Sequence, residues 1–351
     1  MKEEIRKNIR SVLKDAVENS EETPWCFIIA DKLAQKHKKY SELFRNRKIV
    51  WVGIGGSSSG PRAIFRFFGL DGVFLESPED IFDKYERANL FYVVSKSGTT
   101  YETLAIFERI LSGLKRLNFN IPKSVLTVSQ EIESPLMNLV RKYGISNIPF
   151  PQNLSGRFST FYITYFPLLG LAPKILGGII KGLDVVRKDI ENENSLHFSL
   201  TEFLLENLDK QDIFLCFYSR KLFEFAENIT QLIAESLGKD NRGFTPVAVL
   251  GPQFQHSVAQ LVLANPKSKF AIFFVPKEKR YKLVQKEARA THKVFSEKIP
   301  TMLVEYEEKP QEISKILFSL QISIAVCGKI MGINPFDQPE VKRIRDILES
   351  T

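Results

Sequence analysis

Hydroxyls and a glycine cluster at Ser95, Ser97, Gly98, Thr99 and Thr100. The apolar, β-branched run from Leu90 to Val94 precedes them, and Leu104, Ala105, Phe107, Ile110 and Leu111 follow at helical spacing. The run reads as a buried strand. Thr99, with Glu102 three residues on, fits a capping box, so the helix is expected to open there. A strand ending in hydroxyls above a helix start gathers free N–H groups and the positive end of the helix dipole, which suits an anion. The spacing lacks the GxxxxGK[ST] of a nucleotide loop, so the expected anion is a phosphomonoester on a small molecule. The plainer alternative is a loop that only caps its helix.

A second loop of the same kind is Gly53-Ile54-Gly55-Gly56-Ser57-Ser58-Ser59-Gly60-Pro61, after the strand-like Lys48–Val52. Its glycines would let backbone approach a ligand, and Pro61 suits the start of a helix. Ser58 stands where GxGxxG needs glycine, and no ribose-binding acid follows, which argues against a dinucleotide. Arg157, beside Gly156 and ahead of an apolar run to Leu171, needs either a carboxylate or an anionic ligand. In NITQLIAESLGK, Gln231 and Glu235 share one helix face opposite Ile229, Leu232, Ile233 and Leu237, and Gly238 would end the helix. Glu235 is thus either a solvated glutamate or a general base. His256, after the Gly251-Pro252 turn, is either structural or catalytic.

The elements that must hold these residues follow a β-α-β rhythm. Residues 1 to 45 read as helical, with Ile5, Ile9, Leu13 and Val17 on one face and a turn near Glu21–Pro24. Strands are expected at Lys48–Val52, Asp71–Leu75, Leu90–Val94 and Ser124–Val128, and again at Asp212–Tyr218 and Phe270–Val275. The reading is α/β: two αβα sandwich domains with mostly parallel sheets. The domains are set at 46–192 and 193–330, with an N-terminal helical segment at 1–45 and a C-terminal arm at 331–351. Loops at the carboxyl edge of one sheet would converge on one ligand.

At 351 residues, 44% hydrophobic and 26% charged, the chain has ample core for two domains. No run of about 18 uncharged apolar residues is present, so no membrane partner is expected. The N-terminus MKEEIRKNIR lacks the apolar core of a secretory signal. Cys26, Cys216 and Cys327, widely spaced in apolar surroundings, read as reduced thiols of a cytoplasmic protein. The four histidines show no metal-ligand spacing. The net charge of +8 would attract anions. Its basic residues are interleaved with acids, as in Lys277–Lys293, and the denser Lys36, Lys38 and Lys39 lack an aromatic ladder, so no nucleic-acid partner is expected.

GIGGSSSGP at 53–61, SKSGTTYET at 95–103, SGRFS at 155–159, QLIAESLGK at 231–239, QFQHS at 253–257 and NPFDQP at 334–339 occur in one order. In these segments the sequence resembles the glucose-6-phosphate isomerase family, which pairs two sugar-isomerase (SIS) domains. The resemblance implies an aldose–ketose isomerase of glycolysis and gluconeogenesis, working on a sugar phosphate without metal or cofactor. It puts the phosphate on Ser95, Ser97, Thr99 or Thr100, and Thr103, with Lys96 adjacent, and puts Gly56 and Ser57 beside the sugar. Arg157 would stabilise the enediolate, Gln231 would hold substrate or water, and Glu235 would move the proton between C1 and C2. His256 would assist ring opening from the partner subunit of a homodimer, and Gln338 would contact the sugar phosphate or hydroxyls.

The chain departs from the family pattern in three ways. Arg345 stands where the family has a lysine, with Lys342 one turn earlier, so either could supply the C-terminal cation. Ser155 replaces a glycine, and the chain is shorter than most members. Two other functions fit the same segments. One is an isomerase that also takes mannose 6-phosphate; the other is a non-catalytic sugar-phosphate sensor, which has no use for Glu235, Arg157 and His256 together.

Overall fold

The computed structural model describes residues 2–21 and 23–350, except for the side chains of residues 342, 345, 349 and 350. Contacts divide the chain into two compact units, Ser20–Gly177 and Met1–Asn19 with Gly178–Thr351. The first unit holds strands β1 (Lys48–Val52), β2 (Val73–Leu75), β3 (Asn89–Val94), β4 (Val125–Ser129) and β5 (Ser146–Pro149). They form one sheet in the order β2-β1-β3-β4-β5, and every pairing is parallel. Parallel strands are covered on both faces, and every residue of β3 and β4 is buried. On one face Val50, Val52, Phe91 and Val93 pack on Ile106, Phe107 and Ile110 of helix Tyr101–Arg116. On the other, Trp51 meets Phe65, Phe74 and Tyr92.

The second unit holds β6 (Asp212–Phe217), β7 (Thr245–Leu250), β8 (Lys269–Pro276) and β9 (Thr301–Tyr306), ordered β7-β6-β8-β9 and again parallel throughout. The chain steps from β6 out to β7 and back across to β8, as it steps from β1 to β2 and back to β3. Each sheet therefore has a switch point beside its first strand, where the connecting loops part. Helix Pro310–Ile330 is long and apolar enough to cross a membrane, but 83% of its apolar window is buried inside the protein.

The two-sheet α/β reading agrees with this architecture, while three strands lay beyond it. β5 (SNIP) has hardly any apolar run, β7 carries Pro246, and β9 mixes Glu305 into its pattern. The division also falls elsewhere than 192/193. Within helix Pro173–Lys188, Gly178 and Gly182 lie against Pro310, Gln311 and Ser314, which draws that part of the helix into the second unit. Helix Lys2–Glu18 belongs there too. Ile9, Leu13 and Ala16 are buried, while Val17 is exposed, and Arg6 Nε bonds Glu202 Oε1 at 2.7 Å. Arg10 pairs with Glu193 beside it.

A Cβ at residue 182 would lie 2.0 Å from Ser314 Oγ and 2.3 Å from the Gln311 carbonyl oxygen. Gly182→Ala is therefore expected to destabilise the protein by about 1–3 kcal/mol, read as a lower urea midpoint. Gly177→Ala in the same helix meets nothing within 4 Å and should leave the midpoint unchanged or raise it.

Candidate active site

The register of the first sheet brings its two glycine-rich loops side by side. Val52 pairs with Val93 and Val93 with Thr127, so the loops after β1 and β3 leave the carboxyl edge together. Trp51 Nε1 donates to the Ser57 carbonyl at 2.9 Å and ties the first loop to the sheet. Its glycines, however, make room for protein. A Cβ on Gly56 would lie 2.6 Å from both Arg157 N and Gly156 C, and one on Gly60 would lie 2.3 Å from Thr160 Oγ1. The first loop is thus pressed against the segment that carries Arg157. Ser57 is half-buried, and Ser58 and Ser59 are buried.

In the second loop Ser95 is buried, and its Oγ accepts the Gly98 N–H at 3.2 Å and lies 3.2 Å from Thr100 Oγ1. Gly98 sits at φ +68, in the left-handed region, and a Cβ there would also meet Ser134 Oγ at 2.4 Å. Ser97 Oγ and Thr99 Oγ1 bond each other at 2.8 Å. The helix opens at Tyr101, not at Thr99, because the turn at Gly98 makes Thr100 the N-cap. Thr100 makes no side-chain capping bond, so the expected capping box does not form. First-turn N–H groups have no partner inside a helix, and the Thr100 hydroxyl does not cap them. Thr99 is exposed, Ser97 and Thr100 are half-buried, and Thr103 is buried beneath the loop.

Arg157 lies in a short 3₁₀ turn, Gly156–Phe158, and is only 3% exposed. The neighbouring Phe158 ring packs on Phe27 at 4.8 Å, and the next turn is anchored by Tyr162, whose hydroxyl bonds the Pro149 carbonyl. Lys96 is half-buried near Arg157. Burial holds its ammonium below the usual lysine range; the Cys26 thiol opposes this, and the Arg157 charge adds to it. Two cations that disfavour each other in a partly dry place gain by sharing an anion. Cys26 itself is pushed up to about 11 by burial, with Lys96 acting the other way. No spacing pointed to Cys26 beside this loop, since the two are joined only by the fold.

The second unit carries the acid. Helix Ala226–Leu237 buries Ile229, Leu232, Ile233 and Leu237, and Gly238 is its C-cap. On the other face Gln231 Nε2 donates to Glu235 Oε1 at 3.0 Å, the contact expected from their spacing. Lys239 carries a sequence signal of its own, a cation just past a helix end. Its side chain is 8% exposed, and Nζ donates to the carbonyls of Glu235 at 2.9 Å, Ser236 at 3.2 Å and Asn334 at 2.7 Å. Asp337 lies 3.4 Å away, and half-buried Gln338 is its neighbour in the chain.

Because helix Ala226–Leu237 crosses back from β6 to β7, Glu235 stands at the amino edge of the second sheet. His256 follows β7 and stands exposed at the carboxyl edge, in the turn Gln253–His256. The length of β7 separates them, roughly 17 Å at ~3.3 Å per residue. Gln231, Glu235 and the 334–338 loop are thus gathered at one edge of this unit, while His256 stands at the other. The side chains of Lys342 and Arg345 lie outside the described residues. Among the described residues no group of His, Cys, Asp and Glu could hold a metal ion.

Solved structures share the fold. The chain superposes on a hypothetical protein from Thermus thermophilus with a TM-score of 0.82 and 22% identity, covering 97% of this chain and 94% of that one. It superposes on a glucose-6-phosphate isomerase from Chlamydia trachomatis with a TM-score of 0.78 and 18% identity, over 92% of this chain and 72% of that one. The fold, two α/β units each built on a parallel sheet, is thus shared with these structures. No family model matches the chain. Its sequence is 30% identical over 345 residues to a probable glucose-6-phosphate isomerase from Methanococcus maripaludis, covering 87% of this chain and 78% of that protein. The chain belongs to the glucose-6-phosphate isomerase family.

Lys96 tests the first loop. A lowered pKa means that its charge is lost at a lower pH than for a free lysine, so affinity for inorganic phosphate should fall as pH rises from 7 toward 10. Lys96→Met should weaken phosphate binding about tenfold and flatten that fall, measured by calorimetric titration. An unchanged alkaline loss in the variant would assign it to another group.

Proposed function

We propose that the chain interconverts D-glucose 6-phosphate and D-fructose 6-phosphate by proton transfer through a cis-enediolate. Glu235 removes the proton from C2 of the open aldose while the C1 carbonyl oxygen takes up charge. It returns the proton at C1 as the C2 oxygen becomes the carbonyl, and the hydroxyl proton moves between the two oxygens. Arg157 supplies the cation for the charged oxygen, and its burial makes that charge effective. Ser95, Ser97, Thr99, Thr100 and the first turn of helix Tyr101–Arg116 receive the phosphate with Lys96. Thr103 supports the loop from below, and the Gly56–Ser57 backbone borders the sugar. Gln231 holds Glu235, and Gln338 reaches the sugar phosphate.

The observation that carries this reading is a carboxylate held at 3.0 Å by Gln231, on a helix whose end is fixed by a buried lysine. A sugar-phosphate sensor has no use for such an arrangement. The relatives' names favour glucose 6-phosphate over a dual preference that includes mannose 6-phosphate. His256 opens the sugar ring in the partner subunit of a homodimer; its exposed place, a strand's length from its own Glu235, supports that assignment. Lys342 or Arg345 supplies the remaining cation electrostatically. The three cysteines are buried and unpaired, in keeping with the cytoplasm.

In a coupled assay, Glu235→Gln should lower kcat by about 10²–10⁴-fold with the protein still folded. Wild type that binds fructose 6-phosphate without turning it over would leave the sensor reading in place. Arg157→Ala should lower kcat about 10²–10³-fold and raise KM far less. Comparable changes in both constants would make it a binding residue only.

A further inference from the structure

We infer that Lys239 is a positioning residue, an ammonium that sets the Glu235 turn against the segment bearing Gln338. The inference rests on the reading of Glu235 as the base. An ammonium has three N–H donors, and Nζ donates to the carbonyls of Glu235, Ser236 and Asn334. Two of these belong to the last turn of helix Ala226–Leu237, where carbonyls have no partner inside the helix. The third belongs to the 334–339 loop. Charge balance comes from the same loop, with Asp337 Oδ1 at 3.4 Å. So one buried group joins two pieces of chain that are 95 residues apart in sequence.

The loop does not need Lys239 for its own shape. Asn334 Nδ2 donates to Asp337 Oδ2 at 2.8 Å, and Asn334 Oδ1 accepts the Phe336 N–H at 3.1 Å. Pro335 rests against the end of helix Pro310–Ile330, where a Cβ on Gly328 would meet it at 2.8 Å. The helix bearing Glu235 likewise keeps its buried face without Lys239. Removing the ammonium therefore leaves both pieces folded and takes away the hydrogen bonds that set one against the other. A carboxylate displaced by about 1 Å from its reacting carbon loses on the order of a hundredfold in rate.

The test compares wild type, Lys239→Met, Lys239→Arg and Glu235→Gln in the full chain, with folding checked by circular dichroism and turnover of fructose 6-phosphate run in D₂O. Lys239→Met should lower kcat per folded molecule about a hundredfold, more than it raises KM. It should also raise the share of product carrying solvent deuterium, because the held proton is returned more slowly relative to exchange. Lys239→Arg should recover part of kcat. A purely structural role would lower the folded fraction while leaving kcat, the KM split and the deuterium share at wild-type values; that result overturns the proposal. Should Lys239→Met not fold, the exposed Asp337→Asn decides, with a fall in kcat of about threefold or more expected and an unchanged kcat overturning the proposal. If Glu235→Gln keeps full activity, the base assignment fails on its own, whatever Lys239 does.

Discussion

The site in the first unit depends on how closely two pieces of backbone meet. Gly56 lies so near Gly156 and Arg157 that any side chain there would have to displace main chain. Gly60 repeats the constraint one helical turn on, against Thr160. Interiors this dense do not yield by small amounts, so the turn that carries Arg157 is held by the loop after β1. That loop is held in turn by the Trp51 indole and the sheet. The place of Arg157 near half-buried Lys96 is therefore set by packing of the backbone around it.

The two sheets share a topology but use opposite edges. In the first, the hydroxyl loop stands at the carboxyl edge beside the switch point, where α/β sheets ordinarily receive ligands. In the second, the acid rides a crossover helix down to the amino edge, and the 334–339 loop reaches the same place by running down helix Pro310–Ile330. His256 is left at the other end of β7. Sequence motifs that read as one constellation are therefore distributed by direction of travel along the chain.

Much of the fold was legible because β3, β4 and β8 are fully buried and read as continuous apolar runs. Strand β5 escaped notice because its four residues offer neither alternation nor an apolar run. The Gln231–Glu235 contact was legible from spacing, since i and i+4 on a helix always meet. The reason for Gly56 was not: a glycine that admits a ligand and one that admits neighbouring backbone are spelled alike. The capping box at Thr99 misled for a similar cause, since the left-handed turn at Gly98 decides which hydroxyl faces the helix. Nor could spacing bring Cys26 to Lys96, or Asn334 to Lys239.

Helix Lys2–Glu18 has a consequence for how the chain is made. Its arginine Arg6 is paired with Glu202, 196 residues later, and its apolar stripe packs in the unit that includes helix Pro310–Ile330. At translation rates of ~5–20 residues per second, Glu202 is added roughly ten to forty seconds after Arg6. Residues 20–177 are contiguous and can close their own core in that interval. This helix is thus made before residues 20–177 yet packs after them, and Ile9 and Leu13 lack their partners until the second unit has been synthesised.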